Sequence, residues 1–372
     1  MSKNSVEEKI RFYTLVNILK YKADYNIIYG ERSNGKTTSV LEYALKDFCK
    51  SGYKNQLAII RRWEEDFKGK NGSQMFASIN ALGWVEKYSK GEYTSVYYYG
   101  GKWFLCNYDE NGKVANKTEE PFALGFSITS EEHYKSTAYP NIKTILFDEF
   151  MTRGYYIPDE FVKFQNLLST IIRLRTDVTI FMCGNTVNKF CPYFSEMGLT
   201  NIKKQAKGSI DLYEYGESGL KVAVEYSDFP TKKKKSNKYF AFNNPKLNMI
   251  THGGWEIDIY PHLPCKYLPK DVLLIFYIMF DEQIVQGNVI GIDDKIFIYY
   301  HKKTTPIKDD EEERLIFTEE VSIKRNYRYN FLKPMDELQK KILNLHLHKK
   351  EFYQDNELGE VLLNYFKWCQ QN

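Results

Sequence analysis

The chain has 372 residues, a formal net charge of +4 and 16% aromatic residues. Its length exceeds the usual size of one hydrophobic core and predicts two domains. The small net charge excludes a uniformly basic nucleic-acid-binding protein, so any contact with nucleic acid must come from local patches. The six cysteines are scattered without a Cys-x-x-Cys pair, which predicts reduced thiols of a cytosolic protein rather than a zinc site or a disulfide framework.

The first predicted strand, residues 25–29, follows a short helix predicted within residues 11–20 and leads into a glycine-containing loop. From Gly30 to Thr37 the loop reads Gly-Glu-Arg-Ser-Asn-Gly-Lys-Thr, and a predicted helix, residues 38–48, comes next. This matches the phosphate-loop pattern of Gly, four residues, Gly-Lys and Ser or Thr. Small residues at this spacing let successive backbone N–H groups surround a phosphate, and the helix N-terminus adds its positive dipole. Because a strand precedes and a helix follows, a chance match is the weaker interpretation.

The loop predicts a binding site for ATP and Mg²⁺. Lys36 is expected to reach the β- and γ-phosphates, and Thr37 is expected to place its hydroxyl on Mg²⁺. The predicted nucleotide-binding residues are Gly30, Arg32, Ser33, Asn34, Gly35, Lys36, Thr37 and Thr38.

A second apolar strand, residues 57–60, ends in Arg61 and Arg62. Two interpretations stay open for these arginines: contact with nucleotide or DNA, or exposed charges beside a strand. Short alternating runs follow, with Asn111-Gly112 as a turn signal, and predict a β-hairpin insertion in the nucleotide-binding domain. The runs are residues 94–99, 102–107 and 122–128.

The apolar run 144–147 delivers two carboxylates, Asp148 and Glu149. Buried parallel strands are continuous apolar runs, and active sites of open α/β sheets lie at the carboxyl ends of those strands. We therefore expect Asp148 to hold Mg²⁺ or its water, and Glu149 to orient and deprotonate an attacking water. An acidic pair that merely caps a strand is the alternative, and the phosphate loop upstream makes it the weaker one.

Residues 161–175 have helical spacing of apolar side chains and carry Arg173 and Arg175 in the predicted last turn. The next predicted strand, residues 178–183, ends in Gly184-Asn185. Asn185 is expected to lie near the γ-phosphate or the attacking water and to respond to its loss.

Beyond residue 194 the composition changes, and the predicted domains are 1–205, a linker or lid 206–242, and 243–372. The linker contains the run Lys232–Lys235, either a solvated loop or a contact to DNA phosphates. The C-terminal domain is predicted to contain strands 271–280, 283–292 and 295–301 and helices 335–347 and 358–369. The apolar run at 272–280 is too short to span a bilayer, so no membrane partner is expected. His346 and His348, two apart on a helix, are interpreted as surface residues rather than a metal pair.

With these residues assembled, the first half resembles the small DNA-packaging motor ATPases of short-tailed, protein-primed phages, distant relatives of large terminase subunits. The resemblance covers residues 18–194. It depends on the phosphate loop with Arg32 at its third position, on the block from Lys135 to Phe150 that contains Asp148 and Glu149, and on the string from Arg173 through Asn185 to 192–194.

The resemblance implies roles for particular residues. Lys36 and Thr37 would bind phosphate and Mg²⁺, Asp148 would hold the metal, and Glu149 would activate water. Arg173 would be an arginine finger supplied to a neighbouring subunit, and Lys135 a second basic residue acting across that interface. An arginine finger can contribute a thousandfold or more in rate. Arg32 acting within its own subunit, Arg175, and a purely structural role of Arg173 at a helix C-terminus stay open as alternatives.

The resemblance also implies the fold class: α/β, with a P-loop (ASCE, RecA-like) ATPase domain of mainly parallel sheet and a smaller α+β C-terminal domain like a degenerate RNase H-type nuclease. Such a nuclease needs a carboxylate within its first strand, and residues 273–280 contain none, so no nuclease activity is expected.

The function that follows is an ATP-driven motor subunit, active as a homo-oligomeric ring, a pentamer by resemblance, that docks on a procapsid portal and translocates double-stranded DNA. A structural packaging RNA assists docking in some relatives. The expected location is the host cytoplasm, transiently on the procapsid and not in the mature virion. The alternatives are a terminase that also cleaves DNA and a non-motor module in which ATP locks an assembly.

Overall fold

The computed structural model describes residues 13–216, 218–228, 258–308 and 313–372. The chain divides into two compact units, Met1–Glu256 and Ile257–Asn372. Each unit has its own β-sheet, so the prediction of two domains agrees with the structure.

The first unit contains ten strands and six short or medium α-helices among its described residues. The strands are β1 (Tyr25–Gly30), β2 (Gln56–Arg61), β3 (Ser95–Tyr99), β4 (Lys102–Tyr108), β5 (Val114–Lys117), β6 (Ala123–Ser127), β7 (Ile142–Asp148), β8 (Thr179–Asn185), β9 (Ile210–Tyr215) and β10 (Leu220–Ser227). The helices are α1 (Lys36–Lys50), α2 (Gly69–Gln74), α3 (Ala77–Ala81), α4 (Trp84–Tyr88), α5 (Glu160–Ile172) and α6 (Pro192–Glu196), with 3₁₀ helices at Ile18–Tyr21, Glu64–Phe67 and Ile128–Tyr134.

These strands form one sheet in the order β3-β4-β6-β2-β7-β8-β1-β10-β9, with β5 paired to β4. The six central strands, from β6 to β10 in that order, are parallel. The outer strands pair antiparallel. Strand β8 lies between β1 and β7, so the ends of three neighbouring strands meet at one edge.

Helices cover both faces of this sheet, which explains why its central strands are apolar throughout. On one face α1 packs through Val40, Leu45 and Phe48 in a core with side chains of β1, β2, β7 and β8. On the other face α5 packs through Phe164, Leu168 and Ile171 against the alternate side chains of the same strands. The predicted α/β fold with a mainly parallel sheet is confirmed.

The structure corrects the predicted linker, because β9 and β10 occupy residues that the sequence assigned to 206–242. Strand β10 pairs with β1 in parallel register, from Tyr25 with Val222 to Gly30 with Ser227. Strands β9 and β10 belong to the sheet of the first unit, so the predicted boundary at residue 205 lies inside that unit. The run Lys232–Lys235 lies outside the described residues.

The predicted β-hairpin insertion is confirmed for its first two runs, since β3 and β4 pair antiparallel, but it is wrong for the third run, residues 122–128. Strand β6 is parallel to β2 and belongs to the central sheet, and the β3–β4 hairpin extends the same sheet through β4 and β6. The Asn111-Gly112 turn joins β4 to β5, and Gly112 has the positive φ of 73° that such a turn favours.

Two helices differ in their bounds between the sequence prediction and the structure. Helix α5 stops at Ile172, because Arg173 takes φ 54° and ψ −123°. Arg173 and Arg175 therefore follow the helix instead of forming its last turn. Before β1 the described residues contain only the 3₁₀ helix Ile18–Tyr21 rather than the predicted helix within 11–20, whose first residues lie outside the described part.

The second unit is a six-stranded sheet with two α-helices. Its strands are β11 (Val272–Phe280), β12 (Gln283–Ile292), β13 (Lys295–Lys303), β14 (Ile316–Thr318), β15 (Tyr327–Arg328) and β16 (Glu351–Tyr353), and its helices are α7 (Glu337–Leu347) and α8 (Asn356–Gln371). The strand order is β15-β14-β11-β12-β13-β16. Strands β11, β12 and β13 form an antiparallel meander, as the sequence predicted. The unit has the predicted α+β composition.

One side-chain prediction in this unit is wrong. His346 is not a plain surface residue, because its Nδ1 lies 2.9 Å from Glu351 Oε1 and its ring packs against Phe366. His348 is exposed, as predicted. Across the part of the chain that the structure describes, no helix is both long and apolar enough to cross a membrane.

Candidate nucleotide-binding site

A cleft of about 290 Å³ opens where β1, β7 and β8 end. Active sites of open α/β sheets lie at this edge. The cleft is lined by Arg32, Ser33, Asn34, Gly35, Lys36, Thr37, Thr38, Asp148, Glu149, Cys183, Gly184 and Asn185. The structure thus brings together the phosphate loop, the acidic pair and Asn185, which the sequence placed on separate elements.

The loop between β1 and α1 depends on unusual backbone angles. Gly30 has φ 153°, Ser33 φ 60° and Gly35 φ 95°. A Cβ at Gly30 would lie 2.8 Å from the carbonyl oxygen of Ser227 on β10, a distance at which one of the two must move. Gly30 is therefore required both by its backbone conformation and by the neighbouring strand.

Lys36 is buried beneath the loop and is surrounded by oxygen atoms. Its Nζ donates to the carbonyl oxygens of Glu31 at 2.6 Å and Gly30 at 3.4 Å. It also donates to the side-chain oxygens of Asn34 at 3.2 Å and Asn185 at 3.4 Å. Burial lowers the pKa of Lys36 to about 8, because desolvation disfavours the charged amine.

Thr37 and Asp148 face each other across the cleft. The Thr37 hydroxyl donates a 2.7 Å hydrogen bond to Asp148 Oδ1. Burial raises the pKa of Asp148, and the Arg61 charge and this hydrogen bond act in the opposite direction. A hydroxyl and a carboxylate oxygen are hard donors of the kind that Mg²⁺ prefers, so the pair fits the predicted metal site.

Glu149 is exposed and is held by Arg61, the last residue of β2. Arg61 Nη1 lies 2.7 Å from Glu149 Oε2, and its Nη2 lies 2.6 Å from Asp148 Oδ2. Glu149 itself has a positive φ of 57°, a rare conformation for a non-glycine residue that often occurs at functional sites. Arg61 therefore bridges both carboxylates of the site.

Arg62 has a different role. It is buried and forms two hydrogen bonds to Glu160, Nε to Oε2 at 2.8 Å and Nη2 to Oε1 at 2.7 Å. It also donates to the carbonyl of Phe150 at 2.9 Å. The sequence left both arginines open; Arg61 contacts the site, and Arg62 fixes the chain that follows Glu149.

Asn34 lies at the tip of the loop but points inward. Its Nδ2 donates to Ser227 Oγ at 3.2 Å, and its Oδ1 accepts from Lys36. Its backbone carbonyl accepts from the N–H of Tyr13 at 3.0 Å. Asn34 therefore shapes the loop through its side chain and can offer a phosphate only its backbone.

Arg173 and Lys135, both predicted site residues, do not line the cleft. Arg173 is exposed and donates through Nη2 to the Thr137 carbonyl at 3.0 Å. Lys135, two residues before Thr137, pairs with Glu132 at 2.5 Å. The two basic residues thus share one surface region.

Arg175 holds that region together. Its guanidinium donates to backbone carbonyls of Pro140 at 3.1 Å, Tyr139 at 3.0 Å and Ile171 at 2.8 Å, and also to Ile142. Ile142 is the first residue of β7 and Asp148 is the last, so the region lies at the amino ends of the strands. At about 3.3 Å per residue it is roughly 20 Å from its own cleft.

An adjoining cavity of about 670 Å³ shares Thr37, Thr38 and Asp148 with the cleft and is also lined by Arg61 and Asp66. No pattern in the sequence indicates this cavity. The sequence prediction also missed the contact of Ser227 with the loop, because that contact depends on β10, which the sequence assigned to a linker.

Residues 7–240 match the family model described as Podovirus DNA encapsidation protein (Gp16). The DNA packaging protein of Bacillus phage phi29 is 28% identical over 190 residues, 50% of each chain. That of Bacillus phage B103 is 27% identical over 256 residues, 61% of this chain and 72% of the relative. The chain spans about half the length of the phi29 protein that it matches.

Among solved structures, the bacteriophage Phi-29 viral genome packaging motor assembly contains a chain of similar fold. The TM-score is 0.53 and the identity 18%, with 97% of this chain and 99% of that chain covered. At this identity the likeness concerns the fold alone.

Proposed function

The chain belongs to the Podovirus DNA encapsidation protein (Gp16) family, and on this premise we propose that it is an ATP-hydrolysing motor subunit that moves double-stranded DNA into a procapsid. The observation that supports this most is the meeting of Lys36, Thr37, Asp148 and Glu149 in one cleft at the edge of a parallel sheet. Its relatives in Bacillus phages are named DNA packaging proteins.

Thr37 and Asp148 would hold Mg²⁺, because their oxygens lie 2.7 Å apart and are of the type this ion binds. When bound, Mg²⁺ neutralises charge that develops on the β- and γ-phosphates. The backbone N–H groups of Ser33 to Thr38 would surround the phosphates, and Lys36 would exchange its loop carbonyls for phosphate oxygens.

Glu149 is the proposed base that orients and deprotonates the attacking water. It must leave its ion pair with Arg61 to do so, since Arg61 Nη1 lies 2.7 Å from its Oε2. Asn185 shares the Lys36 ammonium with the loop. The hydrogen bond between Asn185 and Lys36 would therefore change when Lys36 turns to the γ-phosphate and again when that phosphate leaves.

Arg173 and Lys135 are proposed to act on the cleft of a neighbouring subunit, because they lie roughly 20 Å from their own cleft along β7. Arg175 is disfavoured as the finger, since its guanidinium is committed to backbone carbonyls. Arg32 lines its own cleft and remains the candidate for action in cis. A ring, a pentamer by family resemblance, satisfies every site with one repeated contact.

The proposed partners follow from the proposed motor function. They are double-stranded DNA, the procapsid portal, further copies of this chain and, as in some relatives, a structural packaging RNA. The protein would work in the host cytoplasm while docked on the procapsid and would be absent from the mature virion.

We further propose that the C-terminal unit does not cut DNA. Strand β11 carries no acidic residue, whereas a two-metal nuclease of the expected type needs one there. Incubating residues 257–372 and the full chain with supercoiled DNA and Mn²⁺ tests this. Intact DNA is expected from both, and nicking by either would favour a terminase that cleaves.

Packaging by the full chain tests the motor itself. Procapsids, linear DNA and Mg-ATP should give DNA that resists DNase, with phosphate release that procapsids and DNA stimulate, and Lys36→Ala should abolish both. Phosphate release that never leads to protected DNA would instead indicate a module in which ATP locks an assembly.

Mixed subunits test action across the interface. Arg173→Ala and Glu149→Gln subunits should each hydrolyse ATP very slowly, and mixed assemblies should regain some activity, because an intact cleft can then receive an intact arginine. A mixture that stays inactive would favour Arg32 acting within its own subunit.

A further inference from the structure

Leu174, between the two arginines that follow α5, is 99% exposed. A single exposed apolar residue needs no explanation by itself. Here, however, the flanking residues hold it in place. The Arg175 guanidinium donates hydrogen bonds to the carbonyl of Tyr139, before β7, and to that of Ile171, in α5. The Arg173 guanidinium donates to the carbonyl of Thr137. The chain therefore presents a leucine in a fixed position on a rigid tip, which we define as residues 173–175.

This tip lies at the amino ends of the parallel strands, whereas the cleft lies at their carboxyl ends. Arg175 also donates to the carbonyl of Ile142, at the start of β7, whereas Asp148 ends that strand. If the tip of one copy inserts Arg173 into the cleft of another copy, the amino ends of the strands in one copy must contact the carboxyl ends in the other. This is a head-to-tail contact. Such a heterologous contact uses two different surfaces on each subunit.

A second exposed apolar side chain belongs to the segment that follows β2, the strand that ends in Arg61. Trp63 is 48% exposed and comes two residues after Arg61, which bridges the cleft carboxylates. Asp66, three residues after Trp63, lines the cavity that adjoins the cleft.

The charges of the two surfaces are complementary. Beside Trp63 lie Glu64 and Glu65, both exposed, and Glu64 is paired with Lys68 at 3.0 Å. Glu149, exposed at the cleft, adds a further carboxylate. The tip carries Arg173, with Lys135 nearby. Lys135 is paired with Glu132 and Glu149 with Arg61, so the complementary charges are chiefly the exposed Arg173 on the tip and the exposed Glu65 beside Trp63.

From these observations we propose that Leu174 of one copy packs on Trp63 of the next copy and so seats Arg173 at that copy's cleft. The partner is a second copy of this chain. The inference rests on the proposed function and deepens it, because it names the contact that completes the site. Leu174 is a positioning residue: it touches neither nucleotide nor metal, and it acts by holding Arg173.

A disulfide test examines the contact directly. Leu174→Cys and Trp63→Cys are combined in a Cys265→Ser background, which removes the exposed native cysteine, and are oxidised mildly with a non-hydrolysable ATP analogue and Mg²⁺. A ladder of covalent multimers is expected from the double variant only. The matched pair Leu174→Cys with Leu347→Cys should give none. Absence of the ladder, or dimers from Leu174→Cys alone, would overturn the head-to-tail contact.

An activity test separates positioning from folding. Leu174→Ala should raise the protein concentration that gives half-maximal ATPase activity by about tenfold, since each 1.4 kcal/mol of lost apolar contact changes an equilibrium tenfold. Binding of a fluorescent ATP analogue to the subunit should stay unchanged, and Leu347→Ala, at another exposed leucine, should change neither. An unchanged concentration dependence would overturn the inference. If the wild-type chain neither binds nor hydrolyses ATP, the proposed function fails, whereas the disulfide test still decides the contact.

Discussion

Arg61 joins the two carboxylates of the cleft, with Nη2 2.6 Å from Asp148 Oδ2 and Nη1 2.7 Å from Glu149 Oε2. Its Nε is buried and has no hydrogen-bond partner among the described residues. The guanidinium therefore compensates the buried carboxylate of Asp148 through Nη2 and restrains the exposed carboxylate of Glu149 through Nη1. Binding of Mg²⁺ and nucleotide would have to rearrange these ion pairs.

Arg61→Ala should destabilise the empty protein by roughly 2 kcal/mol, because Asp148 is then buried without its cation. The loss should shrink when Mg²⁺ and a non-hydrolysable ATP analogue are added, because the metal gives Asp148 a new partner. Thermal unfolding with and without Mg-nucleotide measures both values. An equal loss in the two conditions would show that Arg61 supports the fold elsewhere and not through Asp148.

Glu149→Gln should keep binding of Mg-ATP and lower turnover by about a hundredfold to ten-thousandfold, the usual contribution of a positioned base. The exchange preserves size and leaves Asp148, the metal residue, untouched. Single-turnover phosphate release together with nucleotide titration measures the two effects. The matched control is Glu110→Gln, at an exposed carboxylate between β4 and β5, away from the cleft. Turnover unchanged in Glu149→Gln would remove this residue from its role.

Affinity for Mg-ATP should fall as pH rises above about 8. Burial lowers the pKa of Lys36 to about 8, and bound phosphates would raise this pKa by favouring the charged amine. Binding above pH 8 therefore requires uptake of a proton, which costs up to about tenfold in affinity for each pH unit. Below pH 8 the amine is already protonated, so this contribution is constant.

Titrations of nucleotide between pH 7 and 9.5 measure this dependence. Lys36→Arg keeps its charge throughout the range, so whatever affinity it retains should not vary through this group. A wild-type affinity that stays level up to pH 9.5 would contradict the assignment of Lys36 to the phosphates.

Arg173→Ala and Arg175→Ala should affect different properties, although the residues are two apart: Arg175→Ala should lower stability, and Arg173→Ala should lower turnover. Arg175→Ala should lower the free energy of unfolding by roughly 2 kcal/mol, because several carbonyls lose their donor. Arg173→Ala, at an exposed residue, should change stability by less than about 0.5 kcal/mol and lower turnover by about a thousandfold. Chemical denaturation and steady-state ATPase assays distinguish the two. The reverse pattern would identify Arg175 as the finger.

The sequence predicted what depends on local pattern. The strands β1, β7 and β8 are short apolar runs, and the phosphate loop and Asp148-Glu149 follow two of them directly, so their meeting at one edge could be inferred from the rules of parallel sheets. The meander from β11 to β13 was equally visible, with its acidic turns.

Features that depend on distant residues were missed. Strand β10 carries polar residues such as Lys221 and Glu225 near a lysine-rich segment, so its pairing with β1 was not apparent. The bridge from Arg61 to Asp148 and Glu149 joins β2 to β7, and no spacing in the sequence indicates it. Helix α5 ends at Arg173 through a positive φ, without the glycine or proline that usually marks such an end.

Metal binding to the nucleotide-loaded chain tests the central claim most directly, namely that Thr37 and Asp148 share one Mg²⁺ beside the phosphate loop. Mn²⁺ replaces Mg²⁺ and is followed by electron paramagnetic resonance in the presence of ATP, with Asp66→Asn, in the adjoining cavity, as the matched control. Asp148→Asn should weaken Mn²⁺ binding at least about tenfold, Thr37→Ala should also weaken it, and Asp66→Asn should leave it unchanged. Mn²⁺ bound as tightly and with the same spectrum in Asp148→Asn as in wild type would contradict the account.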